Sequence, residues 1–175
     1  DVIRMLPEDL GEPTRQIAFS RFGGDTIDYY LGKIRGYYND RVRVKAYYDS
    51  VLTWAQPRVR TSPRDSFYRF IHAWALAGSG RQVEAAREVD AILREEALAE
   101  NKGKEPLQAE VFDALNQVIL AQTCVMIGRH DCAVEQVARA IAASEFNLTP
   151  AIFRLDPVWD PLRKRDDFRK LMEGR

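Results

Sequence analysis

Residues 62–98 read SPRDSFYRFIHAWALAGSGRQVEAAREVDAILREEAL, and this stretch decides the fold class. Apolar residues recur every three or four positions on both sides of Gly78-Ser79-Gly80, the period of a helix rather than a strand. Ser62, Pro63 and Asp65 make a helix-start signal: a capping hydroxyl, proline at the first helical position, and an acid in the first turn. The pattern predicts one helix from there to Ala77. A partner runs from about Arg81 to Leu98, with Val83, Ala86, Val89, Ile92 and Leu93 on its apolar face. Two helices joined by so short a break form an antiparallel hairpin.

The same grammar extends both ways. Upstream, Pro13 opens a short helix over 13–22 that Gly23-Gly24 stops, and Asp25 caps a helix carrying Ile27, Tyr30, Leu31, Ile34 and Tyr38. Asn39-Asp40 makes a turn, and its partner helix reaches about Trp54, ending before Pro57. Downstream, residues 99–105 are a polar loop, Pro106 restarts a helix that reaches Ile127, Gly128 ends it, and Asp131 caps the partner bearing Ala133, Val137, Ala140 and Ile141. Thr149-Pro150, Asp156-Pro157 and Asp160-Pro161 then punctuate a tail that ends in a helix around Phe168 and Leu171.

Superposing the bends reveals a repeat. Asn39, Gly80 and Gly128 hold one position, so the bends fall 41 and 48 residues apart, beyond a minimal unit of about 34. Seven residues before each bend stand Gly32, Ala73 and Ala121; five after stand Val44, Ala85 and Ala133; four further on stand Tyr48, Val89 and Val137. Small side chains let paired helices approach, and larger apolar ones fill the groove above them.

These positions, with the Leu31-Gly32 pair, resemble the tetratricopeptide repeat family over about residues 25–145. The family's early Trp is missing from all three repeats. The resemblance implies an all-α superhelix of about three antiparallel helical hairpins with a C-terminal capping helix. Residues 1–24 are then the end of an upstream repeat, 25–145 the three hairpins, and 146–175 the cap. The segments Phe22-Gly23-Gly24-Asp25, Lys45-Ala46-Tyr47-Tyr48-Asp49-Ser50 and 155–163 also resemble the C-terminal repeat region of large bacterial signalling proteins. In those, such a region follows a serine/threonine protein kinase, a nucleotide cyclase or a DNA-binding regulator. The opening Asp1-Val2-Ile3 is read accordingly as the middle of a longer protein.

Composition removes several function classes. Lys+Arg and Asp+Glu number 26 each among 175 residues, so no net charge draws the chain to nucleic acid or anionic membrane. The arginines at 58, 60 and 64 and the basic run 163–165 are interleaved with Asp65, Asp160 and Asp166. No apolar run approaches the roughly 20 residues of a membrane span. Cys124 and Cys132 fall in apolar-periodic stretches, where free cysteine behaves as a small hydrophobe, and the expectation is a reduced pair in a cytoplasmic protein.

Catalytic constellations are sparse. His72 sits beside Ala73 at a packing position. His130-Asp131-Cys132 invites metal or thiol chemistry, but the bland reading places Asp131 as a cap and Cys132 at a helix start, with no second ligand group. Gly78-Ser79-Gly80 follows a helix and lacks the Lys-Ser/Thr of a phosphate loop. The expectation is a protein without catalytic residues, metal or cofactor.

Contact is the remaining function. Stacked hairpins curve, and their first helices line the inner face. Counting from the bends, the inward positions are Tyr29, Lys33 and Tyr37, then Phe67, Phe70 and Trp74, then Leu115, Val118, Gln122 and Met126. The expectation is a concave aromatic groove that binds a protein or peptide segment, another domain of the same chain included. The competing reading buries these aromatics as inter-repeat core, and a third lays the tail from Phe146 to Trp159 across the last repeat. An architectural or oligomerisation module, regulating an attached kinase, cyclase or DNA-binding domain, is the alternative role.

Overall fold

The computed structural model describes residues 40–100, 110–143, 153–154 and 156–173. Among them every regular element is a helix. These are α1 (Arg41–Thr61), α2 (Ser66–Gly78), α3 (Gln82–Glu100), α4 (Glu110–Met126), α5 (His130–Ala143), a 3-10 helix (Pro157–Leu162) and α6 (Asp166–Glu173). The helices proposed over 13–22 and 25–38, and the loop after Glu100, lie outside the described residues.

Two bends organise the chain, and they are built alike. At the end of α2, Gly80 takes φ +85°, its amide donates to the Ala77 carbonyl (3.1 Å), and the Arg81 amide donates to Leu76 (2.9 Å). At the end of α4, Gly128 takes φ +75°, with Gly128 donating to Val125 (3.0 Å) and Arg129 to Cys124 (2.8 Å). Both are Schellman motifs, in which a left-handed residue lets two amides satisfy carbonyls that a helix end would otherwise orphan. Glycine adopts that φ without a steric cost, which is why it stands at both places.

The small-residue positions close the hairpins. Ala73, Ala85 and Val89 in the α2–α3 hairpin, and Ala121, Ala133 and Val137 in α4–α5, are all fully buried. α2 also packs on α1 and, across the hairpins, on α4. One continuous core results, running from Tyr47 to Met172. Arg69 ties α2 to α3 by donating to Glu88 (2.9 Å) and Glu95 (2.5 Å). With its partners supplying charge-assisted bonds, this largely buried guanidinium stays compensated.

Several expected boundaries shift. α1 passes through Pro57 and ends at Thr61, rather than stopping near Trp54. Pro57 and Thr53 are both exposed, so the carbonyl that loses its donor faces water. Beyond the proline, Arg58 lies over the Trp54 ring (4.2 Å to the centroid) and donates to the Trp54 carbonyl (2.8 Å). α2 is capped by Asp65, whose carboxylate accepts from the Phe67 amide (3.1 Å), while Ser62–Asp65 forms a turn. Asp131 sits in the first turn of α5 instead of capping it. Val83 is 66% exposed, since two helical residues from buried Ala85 turn it about 200° away.

The tail packs back on the α4–α5 hairpin. Asp156 caps the 3-10 helix by accepting from the Val158 amide (3.1 Å), and Pro157 follows at its first position. This helix packs mainly on α4, and α6 packs on α5. Trp159 is fully buried between Phe153 (centroids 5.2 Å) and Phe168 (6.4 Å). Arg154 donates to the Met172 carbonyl (2.6 Å).

Arg165 joins the tail to α5 through Asp131 (2.6 Å) and also donates to Asp167 (2.7 Å). The hydrogen bond from Arg165 holds the Asp167 carboxyl down at about 2, against its usual 3.8. A depressed carboxyl stabilises the fold above its unfolded value and loses that contribution as pH falls through its folded value. The stabilisation that the Arg165–Asp167 pair gives within the tail is therefore present above about pH 4 and lost toward pH 2. Replacing Arg165 with alanine should return the Asp167 titration, followed by carboxyl-carbon NMR, toward its usual value; an unmoved midpoint would refute the pairing.

Candidate functional site: a groove between hairpins

A groove of about 790 Å³ opens where α1, the end of α2, the end of α4 and the tail meet. Val44 and Tyr48 of α1, Trp74 and Ala77 of α2, and Gln122, Val125 and Met126 of α4 line it. The tail supplies the remaining wall with Asp156, Val158 and Pro161. Arg41 and Lys45 stand on the α1 rim, and Lys45 is bonded to Asp49 (2.6 Å).

The groove is shaped by aromatic packing. Tyr48 meets Trp74 edge-on at 4.6 Å, and its hydroxyl points to the Met126 sulfur at 3.6 Å. The edge contact and the hydroxyl-to-sulfur hydrogen bond favour one arrangement of the three side chains. Gln122 is 5% exposed, lines the wall, and its side-chain amide makes no hydrogen bond among the described residues. A side-chain amide at a groove wall can both donate and accept.

Three of the ten expected contact residues, Trp74, Gln122 and Met126, come together here. Phe70 and Val118 do not line the groove; they are 3% and 7% exposed and belong to the core between helices. Phe67 is half-buried against Tyr68 (centroids 5.8 Å), away from the groove. Tyr29, Lys33 and Tyr37 lie outside the described residues, as does the side chain of Leu115. Tyr48 is not among the expected contact residues because the inward positions are counted on first helices alone. Its signal is size: a tyrosine holds the place, relative to the bend, that Val89 and Val137 take in α3 and α5.

Burial pushes His72 below its ordinary value, opposed by Glu88 and Glu84 and assisted by Arg81. It sits among residues of the α2–α3 interface, not on the groove. Among the described residues no three His, Cys, Asp or Glu side chains gather as a metal site. None of the described helices is long and apolar enough to cross a membrane. A second cleft of about 330 Å³ lies in the tail, but its arginines are engaged: Arg154 on Met172, Arg163 on Asp160 and Arg169 on Asp166.

The expectation of two free cysteines is corrected. Cys124 and Cys132 are joined as a disulfide, with Cα atoms 6.0 Å apart. Each stands four residues from Gly128, one before and one after, so the bend places them face to face on paired helices. Periodicity put each on its own buried stripe but did not reveal that symmetry. No family model, curated protein or solved structure matches this chain.

Proposed function

We propose that the chain is a tetratricopeptide-like scaffold whose inter-hairpin groove holds an apolar segment of a partner protein. The repeat reading is supported by the two matching Schellman bends, the fully buried small residues at matching places, and the packing of first helix on first helix. The binding reading is carried by one observation: Tyr48, Trp74, Val125 and Met126 form an apolar and aromatic wall of a groove of about 790 Å³, with the Gln122 side chain among them. An apolar anchor would fill the aromatic wall while the Gln122 amide pairs with the partner's backbone. On the resemblance of residues 22–25, 45–50 and 155–163, we place this scaffold at the C-terminal interaction end of a bacterial signalling protein, without catalysis or cofactor of its own.

The test is selection of a displayed library of dodecapeptides, followed by anisotropy on the enriched sequences. Met126→Glu and Val158→Asp change half-exposed groove side chains and should each weaken binding about tenfold or more, with helix content retained by circular dichroism. Failure to enrich any sequence, or equal affinity in both variants, refutes the reading.

A further inference from the structure

We propose that Cys124–Cys132 is a reversible thiol-modification site, interconverting two folded forms of the third hairpin, rather than a staple that the fold requires. The second hairpin supplies the comparison within the same molecule. By the 48-residue register, Leu76 and Glu84 occupy the places of Cys124 and Cys132. The bend between them carries the same two Schellman bonds, at 3.1 and 2.9 Å against 3.0 and 2.8 Å, with no crosslink. This geometry is therefore complete without sulfur chemistry, and opening the bond leaves the backbone pairing of the bend intact.

The two sulfurs are unequal. Cys124 is fully buried on α4, whereas Cys132 is half-buried in the first turn of α5. An attacking thiolate thus reaches Cys132 first, and a helix N-terminus stabilises the thiolate finally released there. With a dithiol reductant, its thiolate bonds to the Cys132 sulfur, the disulfide breaks, and Cys124 leaves with the electron pair and takes a proton. The reductant's second thiol, losing its proton, then attacks the mixed disulfide, forming its own disulfide and releasing Cys132, which is protonated in turn. Two electrons pass to the pair and two protons end on its thiols. The oxidised form carries a constraint next to Val125 and Met126 of the groove, and the reduced form relaxes it.

This inference does not depend on the partner reading, because it is tested without a partner. The full chain is treated with dithiothreitol in native buffer, trapped with a maleimide, and followed by circular dichroism and hydrogen exchange. Two labelled thiols with helix content retained are expected, together with recovery of the disulfide on adding oxidised glutathione. Exchange over 122–137 should rise about fivefold on reduction, while the matching bend over 74–89 stays unchanged. A Cys124→Ala, Cys132→Ala chain should exchange like the reduced protein. Labelling only after denaturation, loss of helix on reduction, or identical exchange over 122–137 in both forms would each overturn the proposal.

Discussion

Replacing Gly78 with alanine is expected to lower the unfolding free energy by about 2–3 kcal/mol, a melting shift of about 8 °C for a chain of this size. A Cβ built on Gly78 falls within the van der Waals envelope of the Tyr48 ring, against Cγ, Cδ1 and Cε1 rather than the far tip. The ring cannot easily retreat, because it is 6% exposed and held edge-on by Trp74. Alanine's better helix propensity, worth up to about 1 kcal/mol, offsets only part of the overpacking. The bend itself does not demand glycine here: Met126 occupies the matching place in the α4–α5 hairpin. A double-mutant cycle separates the causes. In a Tyr48→Ala background the Gly78→Ala change should become neutral or slightly stabilising. A Gly78→Ala protein that melts with the parent would show that the close approach of α1 and α2 has been misjudged.

This pair also shows what the sequence made legible. Gly80 and Gly128 could be read directly, since positive φ leaves few residues to choose from and the following pattern restarts at once. Ala73, Ala85, Ala121 and Ala133 were legible because helix contact distance limits side-chain size at fixed offsets from a bend. Gly78 was not, because its constraint comes from a tyrosine 30 residues away. Pro57 misled for a related reason. A proline costs a helix one hydrogen bond and a ring clash with the carbonyl four residues back, and on an exposed face that carbonyl can tilt toward water and relieve both.

The candidate groove was half legible. An aromatic at an inward position serves equally as core or as surface, and periodicity cannot say how closely the next hairpin stacks. Phe70 and Trp74 sit one helical turn apart and both are 3% exposed, yet Trp74 reaches the groove wall and Phe70 does not. Nor could helix phase foresee that Asp156, Val158 and Pro161 would complete the groove, since a tail has no period. Its caps were readable, whereas its destination depends on the surface that α4 and α5 present.

That destination makes Trp159 the position of largest expected effect. Trp159→Ala should cost about 4 kcal/mol, because a fully buried indole vanishes from between Phe153 and Phe168 and the site refills only partly. Trp159→Phe should cost far less. It keeps most of the ring volume and removes an indole N–H that has no hydrogen-bond partner in the tail core, a group whose burial already carries a penalty. The contrast between the two variants isolates packing from polarity. Local readouts follow from the position of the 3-10 helix on α4: in the alanine variant, trypsin should cut first at Arg163–Arg165, and hydrogen exchange should rise over 156–173 before it rises over 66–78. Since Val158 and Pro161 are carried by the same 3-10 helix, the groove loses a wall at the same time, and peptides selected on the parent should weaken without any change to α2 or α4. If Trp159→Ala melts within about 1 kcal/mol of the parent, the tail is an appendage, and the groove must be redrawn from α1, α2 and α4 alone.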